Sequence, residues 1–308
     1  MPKYRSMGGL AAALAAGLLL SGCANPFADD APATASDASD RPVVLTTFTV
    51  LADLVAEVGG DAVEVRSITR AGAEIHGYEP TPSDLVAAQD ADLILDNGLG
   101  LEGWFAQFTA GIDAPRATLS DGVEEIPIGT GEYEGRVNPH AWMSPRQAAV
   151  YVDNAVSALS ALAPASARTF EENGGDYQVA LAELETRIAD AVATIPEEQR
   201  MLVTCEGAFS YLARDAGLEE ASLWAVNQER QGTPQQTAAV VDVVRERGVR
   251  AVFCESTISD AAQRQVALET GATLAGPLYV DSLTIGEPVP TLLDLLEHDI
   301  DTIVEALS

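Results

Sequence analysis

The sequence predicts an α/β protein with two pseudo-symmetric lobes, each holding a mostly parallel sheet flanked by helices, joined by one long connecting helix. Short β-branched runs alternate with helix-like segments from residue 43 onward, which is typical of a parallel sheet covered by helices. A strand-free helical pattern divides these runs into two series. The 308 residues are also long for one hydrophobic core and suit two lobes.

Residues 1–22 have the pattern of a secretory signal peptide. Lys3 and Arg5 precede an uncharged run over residues 7–20, which is shorter than the ~20 residues of a membrane-spanning helix. The run ends in Leu20-Ser-Gly-Cys23, which resembles the lipobox of bacterial lipoproteins and implies cleavage before Cys23 and lipidation of its sulfur. The alternative is a plain apolar N-terminal helix. We expect an extracytoplasmic protein, lipid-anchored to the cell membrane, with residues 23–42 as the lipidated cysteine and a flexible tether.

The first lobe is predicted over residues 43–162. Strands are expected at residues 43–48, 62–68 and 92–96, and helices at 50–58 and 83–89. Another helix is expected to start at Pro145, where Ser144 caps it and Gln147 closes a capping box.

The connecting helix is predicted over residues 163–196. Its later half carries apolar residues at helical spacing, whereas Asn173-Gly174-Gly175 weakens the prediction upstream. The stripe consists of Leu181, Leu184, Ile188, Val192 and Ile195.

The second lobe is predicted over residues 197–308. Strands are expected at residues 201–205, 223–226, 251–254 and 273–279, and helices at 208–215, 235–247, 260–269 and 291–307.

The charge balance argues against nucleic-acid binding. The chain has 17 Lys and Arg against 47 Asp and Glu, a formal net charge of −30. Such a surface repels polyanions and anionic lipid, so that membrane attachment is expected only through the lipid on Cys23. We read most of this charge as a solvated surface.

Two cysteines remain once Cys23 is acylated. Cys205 and Cys254 end two similar apolar runs, and each is followed by a glutamate. An even pair in an oxidising compartment favours a disulfide, and two small buried thiols are the alternative.

Four residues are expected to converge on one site. His76 lies in a proline-stiffened loop, His140 lies one loop before a helix, and Glu206 and Asp281 each follow a strand of the second lobe. Ligands bind beyond the carboxyl ends of parallel strands, and all four residues are predicted there. Two imidazoles and two carboxylates make a compact site for a divalent metal ion.

These positions carry a family resemblance. The chain resembles the substrate-binding lipoproteins of bacterial metal-ion ABC transporters, the cluster that takes up manganese, iron or zinc. The matching stretches are His76-Gly-Tyr-Glu-Pro-Thr-Pro82, Asn138-Pro-His140-Ala-Trp-Met-Ser-Pro145, Val203-Thr-Cys-Glu206-Gly-Ala-Phe209 and Tyr279-Val-Asp281-Ser282. The resemblance implies two α/β lobes joined by a rigid backbone helix, and metal coordination by His76, His140, Glu206 and Asp281. It also implies delivery of the ion to the permease of the importer.

The donor set favours manganese. The zinc members of this family usually present a third histidine where this chain has Glu206, and often a histidine-rich loop that this chain lacks. Carboxylate oxygen suits harder ions, although zinc binds most such sites more tightly than manganese. Mn²⁺ is therefore expected as the single bound ion, with Zn²⁺ and Fe²⁺ as alternatives.

We expect a monomeric binding protein without a catalytic step. A metallohydrolase using the same four ligands is the rival from another class, but it needs a general base, and no separate base motif is visible. A metal-chelating adhesin or sensor is a third alternative. Glu255 is expected either to orient a ligating histidine or to be a surface carboxylate, and Trp142 is expected to be a packing residue.

Overall fold

The computed structural model describes residues 41–105, 112–131, 133–226 and 233–308. The predicted signal peptide, Cys23 and all but the end of the predicted tether lie outside these residues. None of the described helices combines the length and apolar character needed to cross a lipid bilayer.

The first sheet has four parallel strands in the order β2-β1-β3-β4. Its elements are β1 (Val43–Thr46), α1 (Thr49–Gly59), β2 (Glu64–Ser67), α2 (Pro82–Gln89), β3 (Leu93–Asp96), β4 (Arg116–Thr118) and α3 (Pro145–Leu162). β4 was not predicted, because three residues at a sheet edge give too short a run to recognise. Ser144 does cap α3 by accepting from Gln147 N, but Gln147 Oε1 accepts from Glu124 N, which leaves the expected capping box half formed.

The connecting helix α4 (Ala167–Ala193) is continuous through Asn173-Gly174-Gly175. Gly174 is buried against α3, where an added Cβ would lie 2.5 Å from Val156 Cγ2, so this glycine permits close helix packing. The predicted apolar stripe is buried, and α4 packs against helices of both lobes. The helix therefore extends through the upstream segment in which the glycines made its prediction weaker.

The second sheet region consists of two parallel pairs, β5 with β6 and β7 with β8. Its elements are β5 (Met201–Glu206), α5 (Ser210–Ala216), β6 (Glu219–Trp224), α6 (Pro234–Arg247), β7 (Ala251–Glu255), α7 (Ala261–Thr270), β8 (Thr273–Leu278) and α8 (Leu292–Leu307). β5 also lies beside β7, so the order β6-β5-β7-β8 repeats that of the first sheet. This repetition is the pseudo-symmetry that the sequence predicts.

β6 starts four residues before the predicted strand at residues 223–226 and ends two residues before the end of that strand. The strand start was not predicted because its first two residues are glutamates, but both glutamates have hydrogen-bonding partners. Glu219 pairs with Arg247, and Glu220 accepts from Ser210 Oγ and from Phe209 N. An acidic strand start is stable here because those partners come from other elements.

Candidate metal centre

The four predicted residues converge at the carboxyl ends of the two sheets. His76 lies in the loop between β2 and α2, and His140 lies just before the helical turn that leads to α3. Glu206 is the last residue of β5, and Asp281 follows β8. The topology therefore brings together residues that are up to 205 positions apart in the sequence.

His76 Nε2 lies at the centre of the cluster. It is 3.2 Å from His140 Nε2, 3.4 Å from Glu206 Oε1 and 3.8 Å from Asp281 Oδ1. The side chains are 8% exposed for His76, 6% for Glu206 and 2% for Asp281, and His140 is fully buried. Four donors this close and this enclosed match the requirement of a small cation that is held without most of its water shell.

The electrostatics of the cluster favour a cation. Burial, opposed by His76 and supported by the nearby Glu206 carboxylate, raises the pKa of Asp281 to about 7. Burial and the neighbouring His76 hold the pKa of His140 well below its usual value. Asp281 Oδ1 accepts no hydrogen bond from any described residue, so one buried carboxylate oxygen is left for a ligand.

Glu74 also reaches this cluster, and the sequence reasoning did not assign it. Its carboxylate can approach the same point as His76 and Asp281, and it accepts from the backbone nitrogens of His76 and Gly77. It therefore shapes the loop that presents His76. The sequence feature that could have indicated Glu74 is its position two residues before His76.

Glu255 is buried and contacts the backbone beside a ligand candidate. Its Oε1 accepts from Glu206 N at 3.2 Å, and its Oε2 accepts no hydrogen bond from the described residues. Burial and the Glu206 charge raise the pKa of Glu255 well above its usual value. Its burial excludes the surface carboxylate of the sequence analysis, and its role in orienting a ligating histidine stays a prediction.

The predicted disulfide is formed between Cys205 and Cys254. It joins β5 to β7 one residue before Glu206 and Glu255. The bridge and the bond from Glu206 N to Glu255 therefore fix the ends of these two strands together.

Two tryptophans form hydrogen bonds from their indole nitrogens to backbone carbonyls beside two of the ligand candidates. Trp104 Nε1 donates to Ile75 O beside His76, and Trp142 Nε1 donates to Val280 O beside Asp281. The second bond crosses from the first lobe to the second. Trp142 is thus more than the packing residue that was expected.

A family of metal-uptake proteins matches most of the chain. The family described as zinc-uptake complex component A, periplasmic (ZnuA), matches residues 44–306. The iron-binding protein YfeA of Yersinia pestis is 48% identical over 273 residues, which are 88% of each chain. The manganese-binding lipoprotein MntA of Halalkalibacterium halodurans is 34% identical over 267 residues, 86% of this chain and 88% of that one.

A solved structure shares the fold. The Mn-bound S38A mutant of a periplasmic metal-binding protein from Candidatus Liberibacter asiaticus superposes with a TM-score of 0.82 at 34% identity. The match covers 87% of this chain and 100% of that one. The paired sheets and the long helix are therefore the architecture of a known group of metal-binding proteins.

Proposed function

We propose that this chain, which belongs to the ZnuA family of periplasmic metal-uptake components, captures a divalent transition-metal ion for a membrane permease. The ion would be cargo, held by His76 Nε2, His140 Nε2, Glu206 and Asp281 between the lobes, and the permease with its ATPase would import it. The observation that carries the proposal is that the other three donors lie within 3.8 Å of His76 Nε2.

Mn²⁺ is the proposed cargo. Two carboxylates neutralise a divalent ion, and their oxygens suit manganese better than the imidazole- and thiolate-rich sites typical of zinc. Fe²⁺ is the second candidate, because the relative with 48% identity is an iron-binding protein. Both ions favour the same mixed nitrogen and oxygen ligands, so competition decides between them.

The test is a titration of metal-free protein with Mn²⁺, Fe²⁺ under anaerobic conditions, and Zn²⁺, followed by elemental analysis of protein from its native host. We expect one ion per chain, and manganese in the native protein. His140→Ala should abolish tight binding, whereas His298→Ala removes a histidine outside the cluster and should leave it intact. Equal binding by the two variants would refute the site, and native protein loaded only with zinc would refute the manganese assignment.

A membrane tether is part of the proposal. Lipidation of Cys23 after removal of residues 1–22 would hold residues 43–308 near the permease on a flexible segment of roughly 25 Å typical reach. Cys23→Ser should release the protein from the membrane fraction and remove the lipid mass from its N-terminal peptide. Membrane retention of that variant would contradict the anchor.

A further inference from the structure

His140 makes a close side-chain contact with a residue of its own motif. The Nδ1 of this fully buried imidazole lies 3.0 Å from Asn138 Oδ1, and the backbone nitrogen of His140 donates to the same oxygen at 3.1 Å. Asn138 itself is only 2% exposed. Its amide therefore faces protein groups on all sides, and those groups determine which end is oxygen and which is nitrogen.

The second lobe fixes the orientation of the Asn138 amide. The amide nitrogen lies 2.7 Å from Gly207 O, and a backbone carbonyl can only accept a hydrogen bond. The same nitrogen lies 3.1 Å from Ser210 Oγ, whose own hydrogen is directed to the Glu220 carboxylate at 2.5 Å. Ser210 Oγ is thus an acceptor toward Asn138. Both contacts require the amide nitrogen on this side and the amide oxygen on the side of His140.

An amide oxygen beside Nδ1 selects one tautomer of His140. An oxygen acceptor pairs only with a protonated ring nitrogen, so the hydrogen of the neutral imidazole lies on Nδ1. The lone pair then lies on Nε2, which is the atom 3.2 Å from His76 Nε2. Each donor and acceptor in the chain from Glu220 through Ser210 and Asn138 to His140 is therefore assigned, and Nε2 of His140 is the acceptor that faces the site.

The same amide couples His140 to a carboxylate of the site. Gly207 follows Glu206 directly, so the bond from Asn138 to Gly207 O links the imidazole to the end of β5. Trp142 makes the matching link on the other side of His140, because it donates to Val280 O next to Asp281. The segment that carries His140 is therefore bonded to the backbone beside both acidic residues.

We propose that Asn138 is a positioning residue that holds His140 with its Nε2 lone pair directed at the metal and sets its distance from Glu206. The expected effect on metal affinity rests on the proposed metal-binding function, whereas the tautomer of His140 is a property of the metal-free protein. Metal-bound histidines commonly donate their second nitrogen to an acceptor, and loss of such an acceptor weakens metal binding by roughly 10–100-fold.

The test reads the tautomer directly by ¹⁵N NMR of metal-free protein labelled at histidine, at a pH where imidazoles are neutral. With three histidines, His76→Ala and His298→Ala assign the signals. We expect Nε2 of His140 to resonate as a non-protonated nitrogen and Nδ1 as a protonated one. In Asn138→Ala this pattern should be lost, and Mn²⁺ affinity in chelator competition should fall by about 10–100-fold.

Two variants separate positioning from simple loss of stability. Asn154→Ala removes an amide that also donates to two backbone carbonyls, those of Leu119 and Asp121, but not at the site. It should leave the His140 signals and the Mn²⁺ affinity unchanged. Asn138→Asp loses the donor to Gly207 O but keeps an oxygen acceptor for Nδ1, and should keep the wild-type tautomer even if Asn138→Ala does not fold.

Unchanged His140 signals in Asn138→Ala, or loss of the tautomer in Asn138→Asp, would overturn the inference. Unchanged Mn²⁺ affinity in a folded Asn138→Ala protein would overturn it too. Failure of the proposed function looks different, because wild-type protein would then bind no metal while the NMR pattern of its metal-free form still reported on Asn138.

Discussion

At the scale of single residues, the centre depends on backbone contacts beside each ligand candidate. Glu255 accepts from Glu206 N, Glu74 accepts from His76 N, and Trp142 donates to Val280 O. Each bond fixes the main chain at or next to a residue that the proposal assigns to the metal. The main chain beside the ligand candidates is thus fixed without a metal ion, which would lower the cost of ordering the proposed ligands on binding.

Glu255 offers a stability test of this arrangement. Glu255→Leu keeps much of the volume but leaves the buried Glu206 N–H without its acceptor, which should cost about 1–3 kcal/mol of unfolding free energy. Glu255→Gln keeps an acceptor oxygen and should cost less. Urea unfolding of the metal-free proteins measures both. An equal loss in the two variants would show that the bond to Glu206 N contributes nothing.

The four ligand candidates could be predicted from sequence because histidines are rare here and each candidate lies in a distinct motif. Asn138 could not be assigned, although it lies in the motif of His140. Its role depends on Gly207 and Ser210, which are 69 and 72 positions away and approach only in the folded chain. The bond from Glu206 N to Glu255 could not be predicted for the same reason, since it joins two different strands.

At the scale of elements, helix α4 shows how packing overrides propensity. Two adjacent glycines should weaken a helix by roughly 1 kcal/mol each relative to alanine. Gly174 is nevertheless required where α4 meets α3, while Gly175 is exposed with no neighbouring atom in the way of a Cβ. The sequence shows that both glycines have low helix propensity, but it does not show which of them faces another helix.

The two glycines should therefore respond in opposite directions. Gly175→Ala should raise the unfolding free energy by roughly 0.5–1 kcal/mol, because it adds only helix propensity. Gly174→Ala should lower it by about 1–3 kcal/mol, because the new methyl group overlaps Val156. Urea denaturation of the two variants provides the comparison. Stabilisation by both substitutions would mean that α3 and α4 separate easily.

At the scale of the whole molecule, several buried carboxyl groups are kept away from water. Burial raises the pKa of Asp53 to about 7 and that of Glu102 to about 7, and it raises the pKa of Asp299 well above its usual value. Asp53 of α1 accepts from Leu292 N at the start of α8, so one of these groups lies between the lobes. None of the three belongs to the proposed ligand set.

These groups predict an unusual pH dependence for the metal-free protein. A carboxyl group whose pKa is higher in the folded state contributes stability at low pH, and this contribution is lost as the pH rises through the folded value. As the pH falls from about 8 to about 5, the midpoint of thermal unfolding should therefore rise by several degrees. The depressed pKa of His140 opposes this trend, but it is one group against these three and against Asp281 and Glu255, whose pKa values are also raised.

Asp53→Asn tests the origin of that slope. The amide oxygen can still accept from Leu292 N, but the side chain no longer titrates, so the pH dependence of the unfolding midpoint should become shallower. Asp61→Asn, at an exposed position, is the matched control. A midpoint that falls on mild acidification of the wild type, or an unchanged slope in Asp53→Asn, would contradict the assignment.

The metal-bound protein should behave in the opposite way. Protons compete with the ion for imidazole and carboxylate ligands, so the stabilisation that metal adds should shrink between roughly pH 7 and pH 5. The large negative charge supplies only a background for this chemistry. Of 47 acidic residues, two are proposed to contact the ion.

The most direct test of the proposed centre is anomalous X-ray diffraction from crystals of protein purified from its native host, recorded on both sides of the manganese absorption edge. We predict one peak that appears above this edge, at coordination distance from His76 Nε2, His140 Nε2, Glu206 and Asp281. A peak at any other position, or a peak at these four residues that appears only at the zinc edge, would contradict the account.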